Sequence, residues 1–182
     1  MNLFINACVR KESRTKDLAD ALLSKLKEPY EEVCLNSLSF PLVDEDFLKR
    51  RDRLIAERDF RDPIFDLAKQ FAAADEIIIA APFWDLSFPA ALKQYFEQIN
   101  VREITFFYTP EGIPTGLCRA KRLTYITTAG GEFFPEEYGA GYVKALAQIF
   151  YGIPEFRLIK ATGLDIIGAD VDAILHAVKS SL

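Results

Sequence analysis

Residues Ile77-Ile78-Ile79-Ala80-Ala81 are apolar at every position. A strand with one wet face alternates apolar and polar residues, so a run apolar on both faces belongs inside a parallel sheet covered by helices on each side. The rest of the chain supplies the remaining parts of such a sheet. Short apolar runs at Leu3–Val9, Tyr30–Leu35, Leu123–Thr128 and Phe156–Thr162 read as further strands. Helical stripes fall between them: Leu18, Ala21, Leu22 and Leu26 within Ser13–Lys27, and Ile64, Leu67, Ala68 and Phe71 after a start at Asp62-Pro63. Leu92, Tyr95, Phe96 and Ile99 mark Pro89–Asn100; Val143, Leu146, Ala147 and Phe150 mark Tyr138–Phe150; Val171–Lys179 closes the chain. The charged stretch Asn36–Phe60 reads as a long connection containing a helical piece. Strands alternating with helices predict an α/β domain: a doubly wound, five-stranded parallel sheet with helices on both faces, one domain over residues 1–182 without repeat or linker.

Composition closes off other classes. Half of the 182 residues are apolar and 13% are aromatic, which excludes disorder and allows a sizeable core. No apolar run approaches the roughly 20 residues of a membrane-spanning helix, and the amino terminus lacks the charged and apolar regions of a signal peptide. A net charge of −5 argues against a nucleic-acid surface; the basic cluster Lys49-Arg50-Arg51-Asp52-Arg53 is diluted by Glu57, Asp59 and Asp62 and reads as a solvated helix face. Cys8, Cys34 and Cys118 are widely spaced, without a Cys-x-x-Cys, which suits free thiols in a reducing cytoplasm and gives no metal site. The single histidine, His176, excludes any mechanism that needs two and reads as a partly exposed structural residue.

In an open parallel sheet, ligands bind beyond the carboxyl ends of the strands, where strand order reverses. Three loops qualify. Ala7–Thr15 opens the first helix: free N–H groups there bind anions, with Ser13 and Thr15 adding hydroxyls and Arg14 a charge, although Ser13 also reads as an ordinary helix cap. It has no Gly-x-Gly-x-x-Gly and no Gly-Lys-Ser/Thr. Ala81-Pro82-Phe83-Trp84-Asp85-Leu86-Ser87-Phe88-Pro89 follows the most apolar strand, and its aromatics serve either as a wall for a planar ligand or as a cover on the core. Thr127-Thr128-Ala129-Gly130-Gly131-Glu132-Phe133 carries paired glycines, which either let a ligand approach backbone N–H donors or make a plain turn. Cys8, beside the first loop, reads as a small buried residue.

The stretch Ile77-Ile78-Ile79-Ala80-Ala81-Pro82-Phe83-Trp84-Asp85-Leu86-Ser87-Phe88-Pro89-Ala90-Ala91-Leu92-Lys93-Gln94-Tyr95-Phe96 resembles the strand, Pro-led loop and helix start of the flavodoxin-like NAD(P)H:quinone oxidoreductases and FMN-dependent NADH-azoreductases. Thr105-Phe106-Phe107-Tyr108 with Gly112 to Gly116, and Thr127 to Gly131, are similar to two further segments of that family. The resemblance implies a flavodoxin-like fold and FMN rather than FAD, since the chain ends after its last expected helix. It implies phosphate contacts at Ser13, Arg14 and Thr15, a ring flanked by Pro82, Phe83, Trp84, Asp85 and Leu86, and a pyrimidine edge at Thr128, Ala129, Gly130 and Gly131. Phe106, Phe107 and Tyr108 are the implied substrate wall. Three residues depart from the family pattern: Ala7 for a common serine, Asp85 for an asparagine, and Ala129 for a frequent arginine.

The implied activity is two-electron transfer from NAD(P)H to a quinone or related flat acceptor, azo compounds among the candidates, in a cytoplasmic homodimer with active sites at the interface. No side chain is singled out as acid, base or nucleophile, because the flavin carries the chemistry. Two other readings share the sheet: a flavodoxin-type electron carrier, which nicotinamide would not reduce directly, and a non-enzymatic sensor domain with a vestigial site.

Overall fold

The computed structural model describes residues 1–182. Five strands form the main parallel sheet: β1 (Asn2–Asn6), β2 (Tyr30–Cys34), β3 (Glu76–Ala80), β6 (Arg122–Thr128) and β7 (Glu155–Ala161), in the order β2-β1-β3-β6-β7. Sequential strands run outward in opposite directions from β1 and β3, so the order reverses between those two. That is where the expected fold opens its ligand crevice.

Successive strand side chains point to opposite faces, and the core divides accordingly. Leu3, Ile5, Ile77, Ile79, Leu123 and Tyr125 face one layer, packed by Phe71 of α3 (Asp66–Ala73), Tyr95 and Phe96 of α4 (Ala90–Ile99) and Val143 of α5 (Ala140–Ala145). Phe4, Ile78, Ala80 and Ile126 face the other, packed by Leu18 and Leu22 of α1 (Arg14–Leu26) and Leu175 of α6 (Val171–Ser181). The all-apolar run at Ile77 is thus the strand buried from both sides. The Asn36–Phe60 connection contains α2 (Glu45–Ala56), which starts where the Asp44 carboxylate accepts from the Phe47 N–H at 2.9 Å. Its Leu54 and Ile55 join the first layer.

Three local features differ from expectation. The helix expected over Tyr138–Phe150 is broken into a 3₁₀ turn (Glu136–Tyr138), α5 and a π turn (Leu146–Phe150) in which the Tyr151 N–H reaches Leu146 O at 2.9 Å. The widened turn lets fully buried Tyr151 donate its hydroxyl to Asn100 Oδ1 at 2.7 Å. The segment opened by Asp62-Pro63 starts as a 3₁₀ turn (Pro63–Phe65) before α3. Finally, β4 (Phe106–Tyr108) and β5 (Pro114–Gly116) make a separate antiparallel hairpin, too short to carry a readable alternation.

Candidate active site

Loops from the carboxyl ends of β1, β3, β6 and β7 enclose one cavity of about 560 Å³. The first is held rigid by its backbone: the Cys8 N–H donates to Asn6 Oδ1 (2.9 Å), and Asn36 Nδ2 donates to Cys8 O (2.6 Å). Ser13 caps α1, its Oγ accepting from the Lys16 N–H at 3.3 Å. The remaining first-turn N–H groups have no carbonyl inside the helix, and together with the helix dipole they favour an anion. Arg14 lies over this end, Nη1 donating to Asp165 Oδ1 at 2.7 Å and to Leu164 O at 3.3 Å. Thr15 is buried, its Oγ1 2.7 Å from Thr128 Oγ1, which fastens the helix start to the end of β6.

The second loop extends the sheet before it turns. Ala81 and Phe83 donate backbone N–H groups to Ile126 O (3.0 Å) and Thr128 O (3.0 Å). Trp84 and Ser87 then exchange two backbone hydrogen bonds (3.2 and 2.7 Å) around Asp85 and Leu86, whose φ angles of 50° and 66° are both left-handed. Two such residues make a tight hairpin turn normally reserved for Asn and Gly. The turn carries Asp85 and Leu86 outward, so Pro82, Phe83 and Trp84 line the cavity and those two do not. The Phe83 ring is braced at 4.6 Å by Phe134, whose face carries the Lys160 ammonium at 5.2 Å, itself paired to Glu136 at 2.5 Å.

The third loop is zipped to the segment after β7: Ala129 donates to Ala161 O (2.9 Å), Gly163 to Gly131 O (3.0 Å) and Asp165 to Gly130 O (2.8 Å). The N–H groups of Gly130 and Gly131 donate to no carbonyl. Thr128, Ala129 and Gly130 line the cavity, whereas Gly131 lies on the exposed side. A side chain at Gly130 would put Cβ 2.3 Å from Asp165 Oδ2, so the bare Cα is what admits the carboxylate there.

Of the residues expected to bind, Ser13, Arg14, Thr15, Pro82, Phe83, Trp84, Thr128, Ala129 and Gly130 surround the same space, and Asp85, Leu86 and Gly131 do not line it. Phe106, Phe107 and Tyr108 line none of it within one chain: Phe106 is buried against Phe150 at 4.7 Å, Phe107 is half-buried in the hairpin, and Tyr108 is exposed. Sequence reasoning missed Leu164 and Asp165, although the carboxyl-end rule applied to β7 would have reached their loop. Burial pushes the Cys8 thiol up to about 11 and the Cys118 thiol up to about 12, so neither is a thiolate near neutrality. His176 is exposed on α6, away from the cavity.

Comparison with known proteins gives the same architecture. A family model described as flavodoxin-like fold matches residues 2–181. An FMN-dependent NADH:quinone oxidoreductase from Lachnoclostridium phytofermentans is 39% identical over 181 residues, covering 94% of this chain and 90% of the relative. One from Clostridium perfringens is 37% identical over 178 residues, covering 93% and 89%. Among solved structures, an azoreductase from Bacillus anthracis superposes with a TM-score of 0.86 at 23% identity, covering 99% of this chain and 95% of that one. An FMN-dependent NADH-azoreductase from the same species, in complex with FMN, gives 0.80 at 22% identity, covering 99% and 96%. The chain belongs to the flavodoxin-like fold family and stands beside relatives named FMN-dependent NADH:quinone oxidoreductases.

Proposed function

We propose that this protein is an FMN-dependent oxidoreductase that takes two electrons from NADH or NADPH and passes them to a quinone or a similar flat acceptor, azo compounds included. The observation that carries the reading is the convergence of an anion-binding helix start, an aromatic wall and unpaired N–H donors on one cavity at the switch point. The chain's 39% identity to a quinone oxidoreductase over nearly its whole length supports it.

The residues fit the cofactor. The first-turn N–H groups of α1, with the Arg14 cation, would hold a phosphate; Phe83 and Trp84 would wall a planar ring; the Gly130 N–H would meet its polar edge. When bound, FMN supplies the two-electron chemistry. The protein orients, excludes water and steadies charge. The Gly130 N–H, fixed by the zipped loop, is placed to stabilise negative charge at the ring edge without reorganising. The brace from Lys160 through Phe134 to Phe83 keeps the wall in place. Ser13, Thr128 and Ala129 would complete the cofactor surroundings, with Asp85, Leu86 and Gly131 outside the cavity lining. Of the hairpin residues Phe106 is core, and the exposed Tyr108 with half-buried Phe107 would reach an acceptor only across a subunit boundary.

The reading extends to a single domain, a homodimer with sites at its interface, and a cytoplasmic setting. One family model over residues 2–181 supports the first. Bare apolar side chains on the cavity loops, among them Leu86, Phe133 and Ile167, support the second. Three free cysteines, and no helix long and apolar enough to cross a membrane, accord with the third. The test is spectroscopic. Protein reconstituted with FMN should lose its visible flavin absorbance on anaerobic addition of NADH or NADPH and regain it on addition of a quinone. A bound flavin that neither nicotinamide bleaches would make the protein an electron carrier instead.

A further inference from the structure

A carboxylate occupies the anion end of the cavity. Asp165 places Oδ1 2.7 Å from Arg14 Nη1, and its Oδ2 fills the space that a side chain at residue 130 would take, 2.3 Å from that Cβ position. Its own N–H is fixed on Gly130 O at 2.8 Å, and the adjacent Leu164 O takes a second bond from the same guanidinium at 3.3 Å. The loop after β7 therefore holds Arg14 by two acceptors. The carboxylate is 70% exposed and the guanidinium 43%, so the ion pair is screened and readily exchanged. Arg10 and Arg14 line the cavity with Glu12, Asp17 and Asp165. Arg10 forms no ion pair and Asp17 is paired to Lys179 at 2.6 Å, so Arg14 is the cavity cation whose charge a carboxylate already holds.

We infer that Asp165 is a resident counter-anion of the phosphate end, which holds Arg14 until a phosphate-tailed ligand takes the cation over, and so sets how strongly the site distinguishes a phosphorylated flavin from an unphosphorylated one. The inference rests on the proposed reading of the α1 start as the phosphate site. Asp165 acts through Arg14 and is a positioning residue, not a catalytic one. Asp165→Asn keeps the shape and the backbone bond while removing the charge. A dianion then meets no carboxylate competing for Arg14 and loses one repulsion, which is worth about three- to tenfold in affinity at these exposures.

The test uses three probes on wild type and Asp165→Asn: inorganic phosphate, followed through the NMR signal of the Arg14 side-chain N–H, and FMN and riboflavin, followed by quenching of flavin fluorescence. The inference expects phosphate to shift the Arg14 signal, phosphate and FMN to bind about three- to tenfold more tightly in the variant, and riboflavin to change by less than about twofold. Phosphate behaving this way while neither flavin binds would uphold the role of Asp165 and remove the flavin reading. Phosphate and FMN binding unchanged or weakened, or an equal gain for riboflavin, would overturn the inference.

Discussion

Thr15→Val probes the hydroxyl pair that joins the helix start to the end of β6. Thr15 is 1% exposed and its Oγ1 lies 2.7 Å from Thr128 Oγ1. Valine has the same shape, so packing is kept and only the hydrogen bond is lost. A neutral hydrogen bond contributes about 1 kcal/mol net. Thr128 is half-buried, and its freed hydroxyl can recruit water, so the larger cost of an orphaned polar group is not incurred. Thr15→Val should therefore lower stability by about 1 kcal/mol, seen as a fall of about 2–4 °C in Tm. Thr128→Val should cost about as much or slightly more, because it leaves the deeper hydroxyl unpaired. With both changed, neither partner remains to be orphaned, and the double variant should recover to within about 0.5 kcal/mol of wild type. Urea unfolding of the four proteins measures the cycle directly. Costs that simply add, with the double variant the least stable, would mean that the two hydroxyls do not bond to each other. Flavin affinity read on the same proteins separates fold from site: the double variant should regain stability without regaining the fastening between the two ligand loops.

Leu86 sits at φ 66° with its side chain 47% exposed, so Leu86→Asn relieves left-handed strain at little loss of burial and should raise stability by about 1 kcal/mol; a lower Tm would contradict the turn geometry. Gly116 admits no side chain, since a Cβ there would lie 2.1 Å from the backbone of Tyr151 and Gly152; Gly116→Ala should destabilise by about 3 kcal/mol in urea unfolding, and a neutral result would mean that β5 does not pack on this turn. The Asp75 carboxyl is held below its ordinary pKa by the hydrogen bond from the Met1 ammonium and by Arg119, 2.5 Å away. Its contribution is present above the ordinary carboxylate pKa of about 3.9 and is lost as pH falls through the lower folded value. Asp75→Asn should therefore be less stable than wild type at neutral pH, the two curves converging as pH falls below the lowered folded pKa of Asp75. Curves that stay parallel down the acid limb would remove the charge from the explanation.

The sheet was legible because burial on both faces leaves an unbroken apolar run, and Ile77–Ala81 is such a run. The helices on its two faces were legible from stripes such as Leu18–Leu22 and Leu92–Phe96. The β4–β5 hairpin was visible only as a family motif, because three residues per strand give pattern reasoning nothing to count. The π turn at Leu146–Phe150 follows from where Tyr151 must bury and bond, a tertiary demand that leaves no local mark. In the site, Ser13–Thr15, Pro82–Trp84 and Thr128–Gly130 converge because each follows a strand at the same sheet edge. Asp85 and Leu86 turn away from that cavity because consecutive left-handed residues reverse the chain, a conformation the sequence Asp-Leu does not advertise. The loop of Asp165 was within reach of the carboxyl-end rule, but the role of the residue was not. A lone acidic residue in a loop acquires meaning only when Arg14, 151 positions earlier in the chain, is seen to meet it.

If these loops form one site for a flat, phosphate-tailed ring, a crystal structure of the protein grown with FMN will show it. The phosphate should lie against the first turn of α1 with Arg14 turned onto it, the ring along Phe83 and Trp84, and its polar edge within hydrogen-bonding distance of the Gly130 N–H. Flavin found elsewhere on the molecule, or a cavity filled only by solvent at saturating FMN, would contradict it.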